Sequence, residues 1–313
     1  MALPRLQPAT YQKVTLASLI FLCVIVVTGA LVRLTDSGLG CSDWPNCNQQ
    51  RFVDVSTGHG AIEQVNRLFT GVVVIVVALA VLGSLVRVPR RRDLTWLSVS
   101  LVVGVFGQAV VGGVVVKTDL NPVAVQQHFL LSMVIIAAAF VLHRRAGEPD
   151  GAPRRAVVAT VHRRLAWAVA ALTGLALITG TVVTGTGPHS GSVDGDPVRR
   201  FGFAITSVAR VHSSVVIVTI AVSLYLMWRL RRHDDQARLG DPLSIFVLLA
   251  FVQGSIGYLQ YFSGIPVMLV AAHIAFATAV WLAALNLVWA TAAAAVPASV
   301  AVEGLLLVEP VTP

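Results

Sequence analysis

Apolar residues in this chain come in long unbroken runs, not in alternating or amphipathic stripes. Eight runs stand out, at about 14–32, 68–86, 94–116, 123–142, 165–184, 208–228, 243–261 and 267–290. Each is close to the roughly 20 mainly apolar residues that a helix needs to cross a bilayer. Some of them contain Gly, Thr, Gln or His. The pattern predicts an all-α integral membrane protein with eight transmembrane helices. The first run is longer than the core of a signal peptide and lacks an A-x-A-like cleavage site, so it reads as a retained helix.

The pattern also occurs twice. Helix 1 ends in TGALVRLTDSG (28–38) and helix 5 in TGTVVTGTGPHSG (179–191). Helix 3 carries QAVVGG from Gln108, and helix 7 carries QGSIG from Gln253. His128 follows Pro122 in helix 4, and His273 follows Pro266 in helix 8. Helix 6 opens with ARVHSS and helix 2 with EQVNRL, which sets Asn66 where the second half has His212. Four helices per half make the repeats parallel, related by an axis along the membrane normal. Two duplicated four-helix bundles follow, over 14–142 and 165–290, with a basic linker at 143–164 and a tail at 291–313.

Composition and charge sharpen this picture. Charged residues are only 12% of 313, apolar residues are 56%, and mean hydropathy is +0.79. The net charge of +8 could suggest a nucleic-acid partner. Its distribution argues against one: sixteen of the 23 Lys and Arg fall on the side of the N-terminus and seven on the other. That is the positive-inside pattern, which sets both termini in the cytoplasm of a plasma-membrane protein in contact with lipid. Phosphate-binding Gly motifs are absent.

The polar residues left over carry the chemistry. Cys41 and Cys47 share the first outer loop, in GLGCSDWPNC, where a disulfide is permitted. The pair reads as a structural staple or as a redox-active couple. Cys23 lies inside helix 1 as a small packed hydrophobe. His143, His162 and His233 fall in basic cytoplasmic segments and read as solvated surface. His128, His212 and His273 are different, because all three sit at the outer end of even-numbered helices. Ionisable groups within a span are costly and suggest function, and axial imidazoles on neighbouring helices are a way to hold haem iron. A structural zinc site would want four closely spaced ligands, which are missing. Arg33, Arg67 and Arg210, at outer helix ends, are candidates to pair with carboxylates such as haem propionates or to snorkel to the interface.

At these residues the chain resembles the haem A synthases, eight-helix membrane enzymes that convert haem O to haem A for cytochrome oxidase. The resemblance runs from about 14 to 290. It rests on TDSGLGCSDWPNC, IEQVNR, NPVAVQQH, TGTGPHSG, RVH and His273. It implies a C-terminal half holding haem b through His212 and His273, and an N-terminal half that takes haem O as substrate with His128 near its iron. It implies a catalytic role for Glu63 and a Cys41–Cys47 disulfide. Haem O synthase and cytochrome oxidase assembly factors are the implied protein partners.

The implied reaction is oxidation of a haem O ring methyl to a formyl group through successive hydroxylations and loss of water. The iron porphyrin supplies the chemistry, and the protein supplies position, ligation and electrostatics. Glu63 stands one helical turn from Asn66 on the same face, placed to take a proton or to stabilise positive charge. Asn66 departs from the family, where many members carry His. An amide is a poor iron ligand, which leaves the iron with His128 alone or with a second ligand such as His59. His59 would sit roughly 10 Å further out if helix 2 includes it. The rival readings are a di-haem cytochrome b that only transfers electrons, and a transporter built on the repeat.

Overall fold

The structure, a computed structural model, describes residues 5–192 and 198–295. Eight helices account for most of them: α1 (Pro8–Leu34), α2 (Gly58–Val86), α3 (Arg92–Lys117), α4 (Pro122–Ala146), α5 (Thr160–Thr186), α6 (Ile205–Leu230), α7 (Gln236–Phe262) and α8 (Val267–Ala290). All eight are long and apolar enough to cross a membrane. At 1.5 Å per residue even the shortest, at 24 residues, exceeds a hydrocarbon core of about 30 Å. Large apolar side chains such as Trp96, Phe106, Leu248 and Met268 stay exposed on the outer surface. In water such a surface would drive association, and in lipid it is the expected one.

Each half closes into a bundle by the same pairings. In the first, α1 packs on α2 and α4, and α3 on α2 and α4; in the second, α5 packs on α6 and α8, and α7 on α6 and α8. The halves meet where α1 lies on α8 and α4 on α5, with α4 also touching α8. Exchanging the halves turns the first of these contacts into the second, as a two-fold axis between α4 and α8 requires. The cores follow the same division. One cluster is built around Tyr11, Leu94, Leu101, Ile136 and Leu142, the other around Leu226, Leu239, Leu243, Phe246 and Leu287.

The basic linker and the start of the tail are more ordered than a loop reading suggests. Strand β1 (Arg154–Ala156) pairs antiparallel with β2 (Ala292–Ala294). The Arg154 guanidinium donates to the carbonyls of Trp289 and Ala292 and lies 3.4 Å from the centre of the Trp289 ring. On the same face Leu6 exchanges backbone hydrogen bonds with Val86 and Val88, so the N-terminal segment, the linker and the tail share one end of the molecule.

One expectation at this end is overturned. His162 is not solvated surface: only 1% of it is exposed. Helix α5 begins at Thr160, which turns His162 inward in the first turn. There its Nδ1 lies 2.6 Å from Asp235 Oδ2, and the same oxygen accepts the Ala159 N–H at 2.9 Å. Asp235 thus joins the start of α5 to the α6–α7 connection. His233 stays exposed beside it, and His143 is half-buried near Thr15.

Candidate functional site

At the opposite end of the molecule His128, His212, His273 and Asn66 take up matching places. His128 is the seventh residue of α4 and His273 the seventh of α8. Each of the four faces a glycine on the preceding odd-numbered helix. A Cβ added at Gly112 would lie 3.3 Å from His128 Cε1, one at Gly180 3.2 Å from His212 Cε1, and one at Gly257 3.0 Å from His273 Cε1. The absent side chain is what lets each ring lie against its neighbour helix. In the fourth instance Gly29 faces the Asn66 amide at 4.0 Å.

Glutamines complete the pattern. Gln108 Nε2 donates to the His128 carbonyl at 3.0 Å, and Gln253 Nε2 donates to the His273 carbonyl at 2.9 Å. Each sits four residues before the glycine of its own helix, so one turn of α3 or α7 grips both the backbone and the ring of its histidine. These repeated glutamines and glycines were visible as QAVVGG and QGSIG, but their role as a cradle for histidine was not.

The rings themselves are free to ligate. The centres of His212 and His273 lie 6.4 Å apart. Two imidazoles sharing one metal at about 2 Å each would place their ring centres roughly 6 Å apart, so the pair fits a bis-imidazole iron site. Thr179 Oγ1 holds His212 Nδ1 at 3.1 Å, which orients that ring through the nitrogen facing away from a ligand at Nε2. His128 Nδ1 and His273 Nδ1 are buried without a partner. None of the three Nε2 atoms bonds to a described residue.

The first half adds a feature that the second lacks. Glu63, only 5% exposed, stands three residues before Asn66 in α2. Its Oε1 accepts from Arg67 Nε at 2.9 Å and Nη2 at 2.5 Å, and its Oε2 accepts the Cys41 N–H at 2.8 Å. Arg67 Nη1 reaches on to the carbonyls of Asp43 and Asn46. The corresponding residues beside His212 are Ala209 and Ser213, so the buried carboxylate and its guanidinium belong to one half alone.

Cys41 and Cys47 form a disulfide that closes this loop over Glu63. The loop is seated by Trp44, whose ring would lie 2.9 Å from a Cβ at Gly113 of α3. Bonded to each other, the two cysteines should resist alkylation under denaturing conditions until a reductant is added. Free thiols at both positions in freshly isolated, untreated protein would contradict the bond.

The outer arginines divide into three situations. Arg67 is committed to Glu63 and the loop carbonyls. Arg33 crosses between the halves, its Nη2 donating to the carbonyls of Thr184 (3.0 Å) and His189 (2.5 Å), while its buried Nε has no partner among the described residues. Arg210 is exposed. The crossing is reinforced by the Gly38 N–H bonding the Gly191 carbonyl at 2.7 Å, at a glycine whose φ of 95° suits few other residues. His189 Nε2 contacts the Ile265 carbonyl at 2.8 Å, and Arg200 also donates to Thr184. Neither was singled out from sequence.

His59 lies in the first turn of α2, and Ser37 Oγ holds its Nδ1 at 3.0 Å. Because the helix is continuous, seven residues separate it from Asn66 by about 10 Å along the axis. It therefore stands outward of the level shared by Asn66 and the helical histidines.

Two repeated bundles with imidazole rings at matched depth, one of them under a disulfide-closed loop, define a multi-pass membrane protein. The comparisons narrow this to one family. The family described as cytochrome oxidase assembly protein (COX15-CtaA) matches residues 12–58 and 53–285. A protein of Listeria monocytogenes serotype 4a named Heme A synthase is 30% identical over 271 residues, covering 82% of this chain and 87% of its own. One of the same name from Listeria welshimeri is 28% identical with the same coverage, and one from Bacillus pumilus is 32% identical over 38% of this chain and 39% of its own. The chain belongs to the haem A synthase family.

Proposed function

We propose that this protein is a haem A synthase that oxidises a ring methyl of haem O to a formyl group, with the substrate in the N-terminal bundle (14–142) and a haem b in the C-terminal bundle (165–290). The observation that carries the reading is the asymmetry between otherwise matched halves. The C-terminal half pairs His212 with His273 at a spacing suited to one iron. The N-terminal half has His128, no histidine opposite, and the buried Glu63. Electron transfer alone gives no role to a single-histidine site beside a buried carboxylate.

Haem b, when bound, supplies one-electron exchange. The chain's own residues do the rest. His212 and His273 would hold its iron, with Thr179 fixing the first ring and Gln253 and Gly257 the second. His128 holds the iron of haem O, with Gln108 and Gly112 behind it. Glu63, held by Arg67 and the Cys41 N–H, offers its carboxyl group to the reacting edge as a proton acceptor or a counter-charge. The disulfide-closed loop covers this region and excludes water. Arg33 and Arg210 are propionate-pairing candidates, Arg33 through its free Nε. The basic end of the molecule faces the cytoplasm, with both termini there and the plasma membrane as location. Haem O synthase is the natural supplier of substrate, and cytochrome oxidase assembly factors the receivers of product.

Haem extraction tests the reading. Protein purified from cells with a co-expressed haem O synthase should carry haem O or haem A alongside haem B. Haem B alone under those conditions would return the protein to the electron-carrier class.

A further inference from the structure

We propose that the iron held by His128 has its opposite axial position open to a small exogenous ligand, and that Asn66 Oδ1 accepts a hydrogen bond from that ligand, water being the simplest. The inference rests on the N-terminal bundle being the haem O site, and goes beyond it by giving the two halves different iron chemistry.

The repeat places Asn66 where His212 stands. The surroundings of a ring ligand are present on both sides: the Thr28–Gly29 pair on α1 corresponds to Thr179–Gly180 on α5. In the second half Thr179 bonds the His212 ring. In the first, Thr28 Oγ1 turns back to the Ile25 carbonyl, and Asn66 Oδ1 is buried with no partner. Buried acceptors in folded proteins are almost always satisfied, so an orphan at a ligand position points to a donor that arrives with the haem. An amide is also shorter than an imidazole and a weak iron ligand. Neither His59, Glu63 nor His143 takes the position. His59 stands two helical turns from Asn66 on Ser37, and both oxygens of Glu63 are occupied by Arg67 and the Cys41 N–H. His143 lies at the other end of its helix.

The two sites therefore differ in what they admit. A bis-histidine iron has no free position and excludes external ligands. An iron with His128 alone accepts them, in a space sized by the step from imidazole to amide.

Carbon monoxide is the probe. Full-length protein carrying both haems, reduced and exposed to the gas, should bind it at one haem while the other keeps its low-spin spectrum. His128→Ala should remove the gas-binding haem. Asn66→His should abolish gas binding and turn the N-terminal haem low-spin, because the Gly29 gap and Thr28 already suit a ring. If both haems are retained and neither takes the gas in the unaltered protein, the open position is refuted and the proposed function stands. If only one haem is ever bound, and His128→Ala leaves it in place, the substrate-site reading fails and this inference with it. The measurement on unaltered protein decides the matter even if Asn66→His does not fold.

Discussion

Glu63→Gln should lower haem O conversion by about 10²- to 10⁴-fold, the range over which general acid–base groups act, while both haems stay bound. The substitution isolates charge from shape. A glutamine can still accept the Cys41 N–H through its amide oxygen, so a carboxylate that served only to anchor the disulfide loop would be replaced with little loss. It cannot accept a proton or balance a positive charge near the reacting methyl. The variant also leaves Arg67 without its anion. Breaking a buried ion pair by removing one partner can cost about 3–5 kcal/mol, so folding has to be read separately. The low-spin spectrum of the C-terminal haem is that readout, because its ligands lie in the other bundle. Full activity in Glu63→Gln would sink the catalytic role. Loss of both activity and the C-terminal spectrum would mark a folding defect, to be resolved by testing Arg67→Lys, which keeps a cation in place.

Replacing His212 or His273 by Ala should abolish the low-spin haem b spectrum in each case. Either change would remove one of the two imidazoles proposed to hold the iron, and one imidazole alone would not keep it low-spin. The 6.4 Å between the ring centres makes the two residues a unit, so the single variants should resemble each other and the double variant. His128→Ala belongs to the other bundle and should leave this spectrum intact. A normal bis-histidine spectrum in both single variants would overturn the assignment. Retention in only one would mean that a neighbouring group had replaced that ring.

The positions of the helices were legible because a bilayer imposes a length and a composition that an apolar run displays directly. The duplication was legible for a related reason. Close packing of helices around a ring demands Gly and Gln at fixed spacings, and those residues stand out against Val, Leu and Ala. The histidines of the outer end could be separated from those of the inner end by depth alone. That argument failed at His162, where one turn of helix more than expected moved the ring from the surface into a hydrogen bond with Asp235. Helix starts are set by caps and local backbone geometry, which hydropathy does not encode.

What the sequence by itself determined is the membrane class, the eight spans, the two-fold repeat and the family, and it named Glu63, Asn66 and His128 as candidates. These depend on periodicity and on residue type, both local properties. Only the tertiary structure decided which groups are already engaged. It closed the Cys41–Cys47 loop onto Glu63, took Arg67 out of the free cations, sent Arg33 across to the other half, and left Asn66 Oδ1 without a partner. A side chain's availability depends on what the fold brings within about 3 Å of it, and those partners lie as far as 156 residues away along the chain.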